Sequence, residues 1–312
     1  MLLSIRDAAS QGVFFAIMTM GVYISFKILD QADMSVDGTF VLGAAIATMA
    51  ITTKNVNPIL AVIFSMLGGM LAGMVNGFLH TKLKIPAVLS GILTMLSLYS
   101  INLKIMKSPN VSYLDEHKTI INMLTAILPI GRNTAGLIVG GAYSIIVMLV
   151  LYWFFGTEIG GAIRATGDNE DMVRALGIST DSTKILGLVI SNGLVALAGG
   201  LLSQSQRYAD INMGIGVIAE GLVAIIIADV FLNKESSFLL RLFMLIVSAI
   251  LYRIIVTIAI NLGLPSNDLK LLTSIIVVLT LFIPILRNNW LPTFKHKIEH
   301  KKKYNNGGKT NA

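Results

Sequence analysis

The sequence contains no cysteine, which excludes disulfides, thiolate metal sites and a cysteine nucleophile. Histidine is scarce, with four in 312 residues. His80 falls in a short connection, His117 in a polar stretch, and His296 and His300 near the end. Only the last two have i, i+4 spacing, and HKIEH lacks the apolar scaffold of a helical zinc motif, so a solvated charged helix is expected there. Charged residues make up only 13%, against about 25% in a soluble domain. A complete phosphate loop is also missing. GGKT at 307–310 imitates the end of one, but the first glycine of that motif would fall on Lys303. No ATP site and no other cofactor site is therefore expected in this chain.

What the chain does have is apolar length, with 54% hydrophobic residues and a mean hydropathy of +0.77. Runs of about 20 apolar residues recur along it, and a bilayer accepts each as a spanning helix. The expected class is an all-α polytopic membrane protein of about nine transmembrane helices. They fall near 11–29, 38–53, 58–79, 85–105, 134–155, 184–205, 214–232, 238–259 and 271–287. The second run is short enough to be broken or re-entrant.

Net charge is +7, and residues from Arg287 onward carry one Arg, six Lys and one Glu, or +6 of it. A basic tail after the last apolar run fits a cytoplasmic terminus facing anionic lipid and needs no nucleic-acid partner. With the tail inside, Lys27, Lys82, Lys84, Arg164, Arg174, Lys184, Lys234, Arg241 and seven tail residues fall inside, 15 of the 24 Lys and Arg. The division expected is a transmembrane domain, 1–287, and a basic cytoplasmic tail, 288–312. The domain would carry an extracytoplasmic loop at 106–133 and a cytoplasmic loop at 156–183. The first apolar run lacks the basic start and small-residue site of a cleavable signal.

Small residues recur at one-turn spacing at Gly69, Gly73 and Gly77, at Gly136 and Gly140, and at Ala196 and Gly200. Such stripes let helices approach closely in lipid; tight packing suffices to explain them, and a dimer face or a pathway is the alternative.

The cytoplasmic loop holds TGDNEDMVRALGIST at 166–180. Asp168 can cap a short helix over 169–176, with Asp171 completing a capping box, Glu170 favouring the dipole and Gly177 ending it. Met172, Ala175 and Leu176 then share one side, while Asp171 and Arg174 lie elsewhere. An apolar stripe with a charged rim fits a partner groove, and the acids disfavour the alternative of resting on anionic lipid.

Polar residues inside the spans are candidates for a solute pathway: Asn76, Asn102, Ser191, Asn192, Glu220 and Asp229. Glu220 either faces the pathway or satisfies a neighbouring helix. Asp229, within a turn of the cytoplasmic end, is equally readable as a solvated acid. Asp37 is expected to cap the helix that starts at Gly38.

Three segments then carry a resemblance. GGAIRATGDNEDMVRALGIS at 160–179 resembles the cytoplasmic loop of permease subunits of bacterial ABC importers in the ribose and branched-chain amino-acid class. ADMSVDGTFVLGAA at 32–45, which holds Asp33, Ser35 and Asp37, is similar to an early motif of that family, and GVIAEGLVAIIIADVF at 216–231 to a later glycine-rich one. The chain departs in lacking an additional first span and in having Ala228 and Asp229 where sugar permeases often have two glycines. Its wording is closer to a subgroup for amino acids such as tryptophan or tyrosine.

The resemblance implies a type II-importer-like permease fold in the bacterial plasma membrane. It also implies a second permease copy or close paralogue, and separate ABC ATPase subunits that bind ATP and Mg. A substrate-binding lipoprotein would deliver a small solute from outside. The coupling segment would comprise Asp168, Asn169, Glu170, Asp171, Met172, Arg174, Ala175, Leu176 and Gly177. An amino acid is the expected solute, with a sugar or nucleoside as the alternative. A secondary transporter, the rival of another class, would show repeated halves, and no clear repeat is visible.

Overall fold

The computed structural model describes residues 2–114, 117–232 and 236–263, with scattered positions between 271 and 278. The expected ninth run, 271–287, lies almost wholly outside the described residues, and the tail 288–312 lies outside them entirely. The first half runs α1 (Leu2–Tyr23), a π-helical turn (Ile24–Ile28), α2 (Val36–Lys54), α3 (Pro58–Thr81), α4 (Ala87–Met106) and β1 (Asn110–Ser112). There follow α5 (Ile120–Ile127), α6 (Arg132–Phe155), α7 (Glu158–Asp168), α8 (Glu170–Ala175), α9 (Thr180–Gln206), β2 (Tyr208–Asp210), α10 (Val217–Phe231) and α11 (Phe238–Asn261).

Seven helices among the described residues are long and apolar enough to span, namely α1 with its π turn, α2, α3, α4, α6, α9 and α11. The expected count of about nine is therefore not confirmed among the described residues. The run at 214–232 becomes α10 of only 15 residues, roughly 22 Å of helix against a hydrocarbon core of about 30 Å. It starts late because residues 211–216 turn, with Gly216 at φ 88°.

Burial separates the helices. The apolar windows of α1 and α9 are 83% and 78% covered by protein, whereas that of α4 is 28% covered. α1, α2 and α9 thus form the centre, and α3, α4, α6 and α11 present Leu71, Leu96, Trp153, Phe243 and similar side chains outward. The centre closes because its glycines admit neighbouring backbones. A Cβ at Gly43 of α2 would strike the Ala196 carbonyl of α9, and one at Gly199 of α9 would strike the Phe40 carbonyl. Gly69, Gly73 and Gly77 face α9 in the same way, and Gly136 and Gly140 face Ser10 and Val13 of α1. The small-residue stripes are accounted for by tight packing.

At one end of the bundle β1 pairs antiparallel with β2, Asn110 opposite Asp210. The stretch 106–133 is therefore not a plain loop, since it contributes a strand and α5 to this end. Tyr113 fastens it, its hydroxyl 3.1 Å from Thr48 and 3.3 Å from Ser203. Burial pushes that phenol up to about 12. The opposite end carries α7 and α8.

Between α1 and α2 the helix unwinds. Leu29 N–H reaches Ile24 O, the five-residue spacing of a π turn, Gln31 N–H reaches Ser25 O one residue wider still, and Asp30 is left-handed at φ 52°. Residues 29–35 then run without regular bonds until α2 begins. The second span itself is neither broken nor re-entrant, since α2 is one continuous helix of 19 residues; the break lies before it, buried against α3 and α9. Irregular backbone at membrane depth is tolerated where protein covers it.

Candidate functional site

The short helix expected in the polar stretch is present but shifted. α8 spans Glu170–Ala175 and its cap is Asn169, whose Oδ1 accepts from Met172 N–H at 2.9 Å. Asp168 is not the cap, because the preceding residues wind into α7 and Asp168 is that helix's last residue. Asn169, with extended φ and ψ of −158° and 97°, separates the two helices and takes the capping position. Asp171 is exposed and completes no capping box with Asp168. Gly177 ends the segment as expected at φ 81°, with its N–H on Arg174 O and the Ile178 N–H on Val173 O.

Met172, Ala175 and Leu176 all face outward, Met172 48% and Leu176 70% exposed. Val173, unremarked in the sequence reading, is fully buried and seats the helix on the bundle. Val173 stands i, i+3 from Leu176, so periodicity alone gives no signal that it faces inward.

Glu170 does more than favour the helix dipole. Its carboxylate pairs with Lys184 Nζ at 2.6 Å and Arg174 Nη2 at 2.8 Å, and accepts from Thr180 Oγ1 at 3.1 Å. The Lys184 hydrogen bond, helped by its charge, Thr180 and Arg174, holds the Glu170 carboxyl below the usual glutamate range despite partial burial. Only four residues, 176–179, join α8 to α9, so this helix is tied covalently and ionically to the start of α9. Further bonds hold the same end: Lys82 to Asp181 at 2.9 Å and Thr166 to Thr183 at 2.8 Å.

The candidate pathway residues separate into distinct places. Asn76 of α3 and Asn192 of α9 converge on Asp33 in the irregular 29–35 segment. Asp33 Oδ1 accepts from Asn76 Nδ2 at 2.8 Å, and Oδ2 accepts from Asn192 Nδ2 at 2.7 Å. Ser35 adds its N–H at 2.8 Å and its hydroxyl at 2.6 Å. All four residues are buried. Ser191 instead donates to Gly21 O of α1 at 2.8 Å.

Glu220 is satisfied by a neighbouring helix. Arg253 of α11 donates to it at 2.7 Å while lying over the Phe15 ring, 3.5 Å from the centroid. Asp229 forms a half-exposed pair with Lys27 at 2.9 Å, at the same end as α8. Asn102 of α4 donates to Gly38 O at 3.1 Å and borders a cavity of about 210 Å³ that opens between α2, α4 and the start of α10. Asp37, Val41, Met95, Tyr99 and Ile215 also line it. Asp37 does not cap its own helix, which begins at Val36 behind Ser35. Its two oxygens accept from Gly216 and Ile218 N–H at 3.0 and 2.9 Å, and so cap α10 from 179 residues away. Lying in the first turn of α2, it points across to donors that α10 cannot otherwise satisfy. Among the described residues no cluster of three His, Asp or Glu could hold a metal.

Multiple apolar helices around a buried polar core, with one short amphipathic helix presented at an end, define a polytopic helical membrane protein. The comparisons make this particular. Residues 4–283 match the family "Branched-chain amino acid transport system / permease component", and the chain belongs to that family. It is 40% identical over 274 residues to the "Tyrosine transport system permease protein" of Clostridioides difficile, covering 88% of this chain and 89% of that one. An uncharacterized protein of Rickettsia prowazekii is 35% identical over 277 residues, covering 88% and 95%. The "Autoinducer 2 import system permease protein LsrC" of Yersinia pseudotuberculosis is more distant, 27% identical over 177 residues, 56% of this chain and 48% of that one. No solved structure matches. The chain is accordingly a multi-pass permease of the cell membrane and not itself an enzyme, ATP hydrolysis belonging to separate subunits.

Proposed function

We propose that this permease works as the translocation subunit of an ATP-driven importer of a small solute, an amino acid, with α8 as its coupling helix. The end bearing α7 and α8 is cytoplasmic and the paired strands are extracytoplasmic. Two ATPase subunits, which hold ATP and Mg, sit below, a substrate-binding lipoprotein docks above, and a second permease copy or close paralogue completes the pathway. The observation that carries the reading is the outward Met172, Ala175 and Leu176 face on a helix ion-paired to a buried span. An exposed apolar stripe at the water-facing end of a membrane protein is costly unless a partner groove covers it.

An aromatic amino acid is the favoured solute. The tyrosine permease relative supports this, and so does the largely apolar cavity of about 210 Å³ beside Tyr99, Met95 and Asn102.

Met172→Asp together with Leu176→Asp is the test. Membrane insertion should persist while ATPase co-purification falls by more than about tenfold, because two carboxylates are forced into an apolar groove. Undiminished co-purification would rule out α8 as the coupling helix. For the solute, calorimetry of the partner binding protein with tyrosine, tryptophan, ribose and nucleosides should show heat with the aromatic amino acids. Heat with ribose or nucleosides alone would overturn the amino-acid assignment.

A further inference from the structure

α9 touches two places that matter for transport. Its first turns are tied to α8 through Glu170, Thr180 and Lys184. Well inside the bundle, Asn192 of the same helix donates to Asp33 Oδ2, the only bond that oxygen receives among the described residues. Asn192 Oδ1 lies 3.1 Å from the oxygen of the Ser35 hydroxyl, whose single proton goes to Asp33 at 2.6 Å. Asp33 and Ser35 end the irregular 29–35 segment, and Val36 begins α2 directly after them. The next residues of α2, Asp37, Gly38 and Val41, line the cavity shared with Tyr99 of α4. A continuous mechanical line therefore runs from α8 through α9 to Asp33 and on to the wall of that cavity.

The segment that Asp33 terminates suits a joint. It lacks the regular hydrogen bonds that would make 29–35 rigid, so the chain can change direction there without breaking a helix. A buried carboxylate must keep its donors, because losing one inside the bundle leaves polar groups without water. Displacement of α9 is therefore followed by Asp33 and not absorbed by slippage.

We propose that Asp33 is a positioning residue for transport, the joint through which movement of α9 is passed to the start of α2 and so to the cavity beside Tyr99. The inference rests on α8 being the coupling helix. Asn in place of Asp33 would set an amide N–H₂ against the Asn192 N–H₂ or against the donors of Ser35 and Asn76. Exchanging the two residues restores a carboxylate and an amide across the same gap.

The absence of cysteine makes a direct test available. Tyr99→Cys, half exposed on the cavity wall, supplies a single thiol whose labelling rate by a maleimide is followed. The full chain is held in vesicles with its ATPase subunit, with and without Mg-ATP. In this parent, nucleotide should change the labelling rate. In Asp33→Asn, and separately in Asn192→Ala, the change should be lost while ATPase co-purification is retained. In Asp33→Asn with Asn192→Asp, it should return.

Survival of the nucleotide response in a folded single variant would overturn the inference alone, as would failure of the folded exchange variant to regain it. No response in the Tyr99→Cys parent would likewise overturn this inference, whereas the coupling reading fails only if Met172→Asp with Leu176→Asp leaves ATPase co-purification undiminished. Asn192→Ala and the exchange variant keep the test decisive if Asp33→Asn does not fold.

Discussion

α9 is held by different chemistry at its α8 end and in its middle. At the α8 end Glu170 meets Lys184 and Arg174 as ions, with Glu170 33%, Arg174 63% and Lys184 15% exposed in their side chains. In the middle a buried carboxylate meets amides and a hydroxyl, with no water to replace any of them. Exposed pairs contribute little and are screened by salt, whereas buried donors are expensive to leave unpaired. The α8 end can therefore be loosened and remade as a partner moves, while the middle transmits what it receives.

The sharpest way to break this contrast is through the backbone contacts of the middle. Gly43→Leu drives a side chain into the Ala196 carbonyl. It should destabilise the bundle by about 3 kcal/mol or more, read as loss of a monodisperse peak in detergent.

Asp33→Leu should come next, because it strands the Asn76 and Asn192 donors at a cost of about 1–3 kcal/mol for each buried group. A lowered Tm of the purified chain is the measurement, and an unchanged Tm would place those amides in contact with water. Asp37→Ala removes the cap of α10 and should cost about 1 kcal/mol. Faster amide exchange at Gly216 and Ile218, with α9 unaffected, distinguishes this from a general loss of packing.

The smallest effect belongs to the α8 end. Glu170→Gln should lower stability by less than about 1 kcal/mol at neutral pH, because the Arg174 pair is exposed and the Lys184 pair only partly covered. Acid should affect the wild type more than the variant. The folded Glu170 carboxyl is held below its ordinary range, so its contribution is present above that range and is lost as pH falls through the depressed value. Hydrogen exchange of α8 against pH checks the sign; protection that rises on acidification would contradict the Glu170–Lys184 tie.

These two regions also differ in what a linear reading could find. The apolar face of Met172, Ala175 and Leu176 and the left-handed stop at Gly177 were legible because they depend on neighbours within a turn or two. The cap was misplaced by one residue, since whether Asp168 or Asn169 starts α8 depends on where α7 stops. Asp37 was read as capping its own helix and instead caps α10, because spacing along a strand of sequence carries no information about donors 179 residues away. Asn76 and Asn192 were both marked as unusual polar groups at depth, yet only folding brings them to one carboxylate.

The sequence by itself determined that this is a helical membrane protein of the permease family. Apolar runs, charge placement and a short capped segment are local quantities that a bilayer converts directly into spans and an exposed helix. Tertiary structure alone decided that the 214–232 run yields a helix of only 15 residues, that 29–35 unwinds inside the bundle, and that Asp33 joins α3 to α9. In lipid, helix association depends on backbone fit and on pairing every buried polar group. Both are settled between residues as far apart as Asp33 and Asn192, whose separation of 159 positions hides their contact.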